Sequence, residues 1–309
     1  MTARLEHAGD QGVQKSILAV IVLYKVAAEE SQAFVSLRDL LAQDRKAADN
    51  VELMICDNTP YQQPRPPGFN GLYVHDGRND GLAKRYNFAI ARARQRGAEW
   101  LMLLDQDTTV NASYLREALE RTALLAHDTG VAAVVPKLAK GSQLFSPHVP
   151  LYANPPFEID MSLSGIPKRR LQVFNSGALL RVRRLEAIGG FPEHFWLDYL
   201  DHAMFHLLQE DGSKVYVMEA VLQHELSAQG LLGQRDPGPL SREWNTLEAS
   251  ADFFRRYGTR RERVLHCIDL LRTAFGIFRR GRYLQGLRVF GVALDCRPVN
   301  VRGTRRNAE

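Results

Sequence analysis

Read from its N-terminal side, the chain sets out short apolar runs separated by stretches in which apolar residues return every three or four positions. SILAVIVLY, starting at Ser16, is uncharged and rich in β-branched residues, which predicts a strand buried on both faces; a helix-compatible stretch follows over about 31–43. VELMICDNT, starting at Val51, is a second apolar run closed by an acid and an amide. The Pro/Gly/Asn-rich TPYQQPRPPGFNG joins it to a short predicted strand over 72–75. The spacing then predicts a helix over 82–96, stopped by Gly97, and a third buried strand, EWLMLLDQD. A helix over about 112–125 and the strand VAAVVP complete this half. Strands alternating with helical stretches of roughly 10–15 residues predict an α/β fold, a mainly parallel Rossmann-like sheet with helices on both faces.

The second half is less regular. Residues 141–172 read as a long connection over the ligand site and carry the Pro cluster HVPLYANPPFE. VFNSGALLRV is strand-like, RRLEAIGGF is a short helix stopped by glycines, and a helix is predicted over about 201–210, followed by the strand KVYVM and the segment AVLQHELS. A Gly/Pro-rich passage, QGLLGQRDPGPL, marks the end of the core. Beyond it Val264, Ile268, Leu271, Phe275 and Phe278, then Tyr283, Leu287, Phe290 and Leu294, advance by three and four, which predicts two amphipathic helices joined near Arg279-Arg280-Gly281-Arg282. The expected organisation is a flexible N-terminus over 1–15, a catalytic α/β domain over 16–240 and a basic helical appendage over 241–309.

Charge sharpens that division. Residues 255–309 hold fourteen Arg, no Lys and four acids, a net +10, against +5 for the whole chain, so residues 1–254 carry −5. The basic surface belongs to the appendage. Its stripe and charge resemble a surface that lies on anionic lipid; packing on the core or on a second subunit is the other reading, and the oligomeric state stays open. No recognised nucleic-acid-binding module accompanies the arginines, so no nucleic-acid partner is expected. The run over 17–24 is far short of the roughly 20 residues needed to span a bilayer, and Cys56, Cys267 and Cys296 form no CxxC pair, which makes the cytoplasm the simplest setting, with the inner face of the cell membrane as its extension.

Candidate chemistry gathers where predicted strands end, because ligands of parallel sheets bind beyond the carboxyl ends. Asp57, Asp105 and Asp107 sit there. Two carboxylates one residue apart can hold Mg²⁺ or Mn²⁺, hard ions that prefer oxygen ligands, although an isolated pair can equally cap the next helix. After the first strand the chain reads LYKVAAEES, with no G-x-G-x-x-G and no phosphate-binding lysine loop, which removes the dinucleotide and P-loop readings. Neither a G-x-S-x-G elbow nor an HExxH helix occurs.

In order along residues 16–228, the segments IVLYKV, ICDNT, RNDGLAKRYNFAI, LMLLDQDT, FNSGALLRVRRLEAIGGF, FWLDYLD and VLQHE resemble family 2 glycosyltransferases with the GT-A fold, and LLDQDT with LDYLD resembles the rhamnosyltransferase branch. The resemblance implies a nucleotide diphosphate-sugar donor and a glycan or lipid-linked glycan acceptor in bacterial cell-surface polysaccharide synthesis. It implies a nucleotide-sugar site of Tyr24, Asp57, Asn79, Gly81, Asn87, Asp105, Gln106, Asn175, Ser176 and Gly177. Asp107 and His224, with Asp105, would hold the divalent metal. Asp201 falls at the position of the acceptor-deprotonating base with Asp198 just outside the helix, where a simple N-cap is the alternative role; Ala203 stands where the branch commonly has a second acid. The implied reaction is a single inverting displacement. A UDP-sugar donor, or a catalytically silent module that only binds a nucleotide-sugar, are the rival readings.

Overall fold

The computed structural model describes residues 15–223 and 242–295. His224, the Gly/Pro-rich passage after it and nearly all of the expected flexible N-terminus lie outside the described residues. The described chain forms two compact units, Met1–Pro150 with Phe157–Leu226, and Leu151–Pro156 with Ser227–Glu309.

In the first unit the apolar runs become the strands of one sheet. β1 (Ile17–Leu23), β2 (Val51–Asp57), β3 (Leu72–His75) and β4 (Trp100–Asp105) alternate with α1 (Gln32–Gln43), α2 (Arg45–Asn50) and α3 (Leu82–Arg96). They are followed by α4 (Ala112–Leu124), β5 (Val131–Lys140), β6 (Gln143–Ser146), β7 (Leu179–Arg181), α5 (Val182–Ala187), α6 (Leu200–Glu210) and β8 (Lys214–Gln223). The strand order is β3-β2-β1-β4-β7-β5-β6, with β8 also paired to β5. β1 is central and buried at all seven positions, as a strand covered on both faces requires. Packed against its two faces lie Phe34 and Leu37 of α1 and Tyr86, Ala89 and Ile90 of α3, all buried.

Four local differences from the sequence pattern have physical causes. α2 arises because Asp44 caps it, accepting the Ala47 N–H at 3.1 Å, although its six residues are too few and too polar to show a period. β6 lies within the expected long connection; it pairs antiparallel with β5 across a turn at Gly141, where φ is +60°. The strand-like VFNSGALLRV keeps only Leu179–Arg181 as strand, since Gly177, at φ +75°, breaks it. KVYVM and AVLQ prove to be one strand. The register between β5 and β8 slips at Pro136, which has no N–H to give, and the Glu117 carboxylate of α4 accepts the Glu219 and Ala220 N–H groups at 2.9 and 2.8 Å instead.

One strand reverses the expected direction. β7 runs antiparallel to both β4 and β5. Residues just before it therefore travel beside the carboxyl end of β4, a placement that the functional site uses.

The second unit contains α7 (Arg242–Tyr257), α8 (Arg260–Arg279) and α9 (Tyr283–Leu294), one helix more than the sequence pattern predicts. Thr259 and Glu262 form a reciprocal cap on α8. Tyr152 packs on Phe254, and its hydroxyl donates to Asp269 Oδ2 at 2.7 Å and meets His266 Nδ1 at 3.2 Å. α8 and α9 approach through small residues: Gly286 faces the Phe278 ring, where any Cβ would collide, and Ala274 and Ala293 are buried. Several large apolar residues of the stripe point outward, with Phe275 63%, Leu287 58% and Leu294 64% exposed, while Phe278 packs on Gly286.

Candidate functional site

Asp57 and Asp105 close the two strands that flank β1, opposite Leu23 and Val22 respectively. Both carboxylates thus stand at one end of the sheet, where the β1 end delivers Tyr24 and Lys25. Asp57 is buried and fully engaged by protein: Oδ1 accepts the Thr59 N–H at 3.0 Å, and Oδ2 accepts the Gln63 N–H at 3.0 Å and the Tyr73 hydroxyl at 2.9 Å. Burial and the Asp57 carboxylate together push the Tyr73 hydroxyl far above its ordinary range, so it remains a donor. Asp57 therefore shapes the 57–63 turn.

The Asp105-Gln106-Asp107 turn is pinned by its middle residue. Gln106 Oε1 accepts the Tyr24 N–H at 2.9 Å, and the Gln106 carbonyl accepts the Ser31 hydroxyl at 2.8 Å. The Lys25 N–H donates to Thr59 Oγ1 at 2.9 Å, which ties the ends of β1 and β2. Neither acid caps α4, whose N-cap is Asn111. Asp105 accepts the Ser176 hydroxyl. Asp107 is exposed, and its carboxylate has no hydrogen bond or ion pair among the described residues. Hard oxygen donors one residue apart, one of them partnerless and facing solvent, fit Mg²⁺ or Mn²⁺. No group of three or more potential metal-binding side chains occurs among the described residues, and His224 is not among them.

The reversed β7 brings the Asn175-Ser176-Gly177 segment alongside. The Gly177 N–H donates to the Leu103 carbonyl at 2.8 Å, and the Leu103 N–H to the Ala178 carbonyl at 2.9 Å. A side chain at Gly177 would strike Leu222 and Pro136. Asn175 is buried, and its Oδ1 has no hydrogen-bond partner among the described residues, an acceptor adjoining Ser176.

The Asn79-Asp80-Gly81 turn and Asn87 hold another part of the chain in place. Trp196 Nε1 donates to the Asn79 carbonyl at 3.1 Å, the Leu82 N–H donates to the Trp196 carbonyl at 2.9 Å, and Gly81 lies against Trp196 so closely that a Cβ would meet the indole at 2.7 Å. The Asn87 amide donates to the Phe191 carbonyl at 3.0 Å, and its oxygen accepts the Phe191 N–H at 2.7 Å. α3 thereby stitches down the loop that leads to α6.

That loop delivers Asp198 and Asp201. Tyr199 sits at φ +62° in the N-cap position and makes no side-chain cap, so Asp198 is not the helix cap that its spacing suggested; the left-handed turn has displaced it. Asp201 lies in the first turn of α6. The hydroxyl of Tyr86, fully buried and without a hydrogen-bond partner among the described residues, is pushed far up by burial and then by the charges of Asp105 and Asp201. Lys25 (φ 58°), Asn79 (φ 48°) and Tyr199 (φ 62°) all border this region, and left-handed non-glycine residues concentrate where surrounding structure over-determines them. Trp196, Tyr199 and Tyr86 lie inside the FWLDYLD and RNDGLAKRYNFAI segments, but the contacts that give each its part here are made only on folding.

Neither a protein-family model nor a curated protein matches this sequence. Among solved structures, the chain is similar to S. aureus TarS residues 1–349 in complex with UDP-GlcNAc, at 14% identity and TM-score 0.50, covering 91% of this chain and 92% of that one. TarS 1–349 without that ligand matches at 15% identity and TM-score 0.47 over 77% and 70%. A longer TarS chain matches at 14% identity and TM-score 0.49, covering 78% of this chain and 43% of that one. At 14% identity the match with TM-score 0.50 establishes the fold alone, which is GT-A with a C-terminal helical region.

Proposed function

We propose that the chain is an inverting, metal-dependent glycosyltransferase that moves a sugar from a nucleotide diphosphate-sugar to a hydroxyl of a glycan or lipid-linked glycan. The observation that carries the reading is the hydrogen bond of the Ser176 hydroxyl to Asp105, which joins the carboxylate closing β4 to the Asn175–Gly177 segment at the ligand end of the sheet. Asp201 takes the proton of the acceptor hydroxyl, the oxygen bonds to the anomeric carbon, and the bond from that carbon to the diphosphate oxygen breaks. A divalent cation held by Asp107, with Asp105 and His224, would offset the charge that builds on the departing diphosphate. Asn175 and Ser176 border the sugar, and Tyr24 and the 57–63 turn border the nucleotide.

Rhamnose from TDP-rhamnose is the donor favoured by the LLDQDT and LDYLD segments. A UDP-sugar is the second reading, supported by the UDP-GlcNAc bound in a TarS structure of similar fold. Slow donor hydrolysis by purified full-length protein separates them. TDP-rhamnose should be cleaved at least ~10-fold faster than UDP-GlcNAc, the discrimination that about 1.4 kcal/mol provides. The reverse order would assign the UDP-sugar, and cleavage of neither would favour the silent module.

The outward stripe on α8 and α9, with Arg272, Arg279, Arg280, Arg282 and Arg288 around it, fits an anionic lipid surface at the inner face of the membrane, where a lipid-linked acceptor resides. No helix among the described residues is long and apolar enough to cross a bilayer. The full chain should co-sediment with vesicles containing phosphatidylglycerol, less so as salt rises. The double change Phe275→Glu and Leu287→Glu, at exposed positions, should abolish co-sedimentation while leaving donor hydrolysis intact. Undiminished vesicle binding by that variant, or loss of a dimer instead, would remove the membrane role.

A further inference from the structure

We infer that His202 is the positioning residue of the proton acceptor, holding Asp201 by one oxygen so that the other is presented to the acceptor hydroxyl. The inference rests on the reading of Asp201 as the base. Asp201 Oδ1 accepts two hydrogen bonds, both from His202: the backbone N–H at 2.8 Å and the ring Nδ1 at 2.8 Å. Oδ2 accepts none among the described residues. A carboxylate can only accept, so the proton of this hydrogen bond belongs on Nδ1.

Neighbouring side chains on a helix do not ordinarily face each other. Among the described residues, three aromatic side chains pack around the ring of His202. Its centroid lies 4.7 Å from Tyr199, 5.3 Å from His148 and 5.7 Å from Phe174. Each wall is held by its own backbone, and His148 also packs on Phe174 with ring centroids 5.2 Å apart. Tyr199 is held in its left-handed conformation before α6, His148 exchanges backbone hydrogen bonds with Gln172 at 2.8 and 2.9 Å, and the Phe174 N–H donates to Ser146 Oγ at 3.0 Å. His148 itself stays neutral near pH 7: burial, then the neighbouring His202, lowers it to about 4. The wall against the dyad therefore adds no charge that would compete for Asp201.

With Oδ1 occupied twice, the proton leaving the hydroxyl has one destination on Asp201, Oδ2, and the Nδ1 proton stays on His202. Without the imidazole, Asp201 keeps its charge but regains rotamer freedom, and misplacement of a reacting group by about 1 Å costs on the order of 10²-fold.

Three variants of the full chain test this, with kcat, acceptor KM, donor Kd and Tm measured on each. His202→Phe keeps a flat ring without the donor, and kcat should fall ~10- to 100-fold with donor Kd and Tm near wild type. His202→Asn places an amide N–H where Nδ1 stood and should remain within about three-fold of wild type, a rescue that a packing role would not produce. Asp201→Asn combined with His202→Phe should be no slower than Asp201→Asn alone, because His202 acts through Asp201. Unchanged turnover in His202→Phe, an Asn variant as slow as the Phe variant, or additive losses in the double variant would each overturn the inference. Should the Phe variant unfold, His202→Gln, whose amide sits one bond farther out, takes its place with the same expected loss. High turnover in Asp201→Asn alone would instead sink the reading of Asp201 as the base, a failure distinct from that of the dyad.

Discussion

Asp201→Asn is expected to lower turnover by ~10²–10⁴-fold while leaving donor affinity nearly unchanged. A sugar hydroxyl is a poor nucleophile until its proton has somewhere to go. The amide preserves the shape of Asp201 and can still accept the two His202 hydrogen bonds, but it has no basicity. The loss should therefore appear in kcat, with donor Kd as the control. Asp198→Asn should be milder, since the left-handed Tyr199 separates Asp198 from the helix that aims Asp201. The measurement is steady-state transfer to one acceptor for both variants, with donor binding determined by calorimetry. Near-normal turnover for Asp201→Asn beside an inactive Asp198→Asn would move the base to Asp198.

The second large effect is expected at Asp107. Excess chelator should abolish transfer, and Mg²⁺ or Mn²⁺ should restore it in the wild type but not in Asp107→Ala, a loss on the order of 10³-fold for the several kcal/mol that a cation contributes to a departing diphosphate. Stability supplies the control. Asp107 is exposed and without a partner among the described residues, so its removal should change folding free energy by no more than about 0.5 kcal/mol. Asp105→Ala differs, because it deprives the buried Ser176 hydroxyl of its acceptor. Full transfer in chelator, or metal rescue of Asp107→Ala, would contradict the assignment. A metal-binding titration of the two proteins distinguishes loss of the ion from loss of the fold.

Much of this architecture was legible in the order of residues. β1, β2 and β4 announce themselves because a strand buried on both faces must be apolar at every position, whatever its neighbours. α3 and α4 are amphipathic, and Gly97 marks where α3 stops. Carboxylates that end buried strands, Asp57 and Asp105, could be placed at the ligand end of a parallel sheet from the strand pattern alone. The α8–α9 hairpin follows from its three-and-four spacing, and the concentration of arginine there is a matter of counting.

What the residue order left undetermined depends on pairs of segments far apart in the chain. β7 is three residues long, and its direction is set by hydrogen bonds to β4 and β5, so nothing in LLR could reveal that Ser176 would meet Asp105. Asn87 reads equally well as a ligand contact or a structural tether until Phe191, 104 positions away, is seen to take both of its polar groups. The apolar stripe of α8 and α9 could as well have packed inward; small residues at Ala274, Gly286 and Ala293 take the inner contact because they let two helix backbones approach closely. His202, an unremarkable helix residue in sequence, acquires its relation to Asp201 only from the Tyr199, His148 and Phe174 rings. Periodicity and burial are properties of a segment and can be read from it. Pairing direction, hydrogen-bond partners and ring packing belong to contacts between segments, and they take definite values only when the chain has closed on itself.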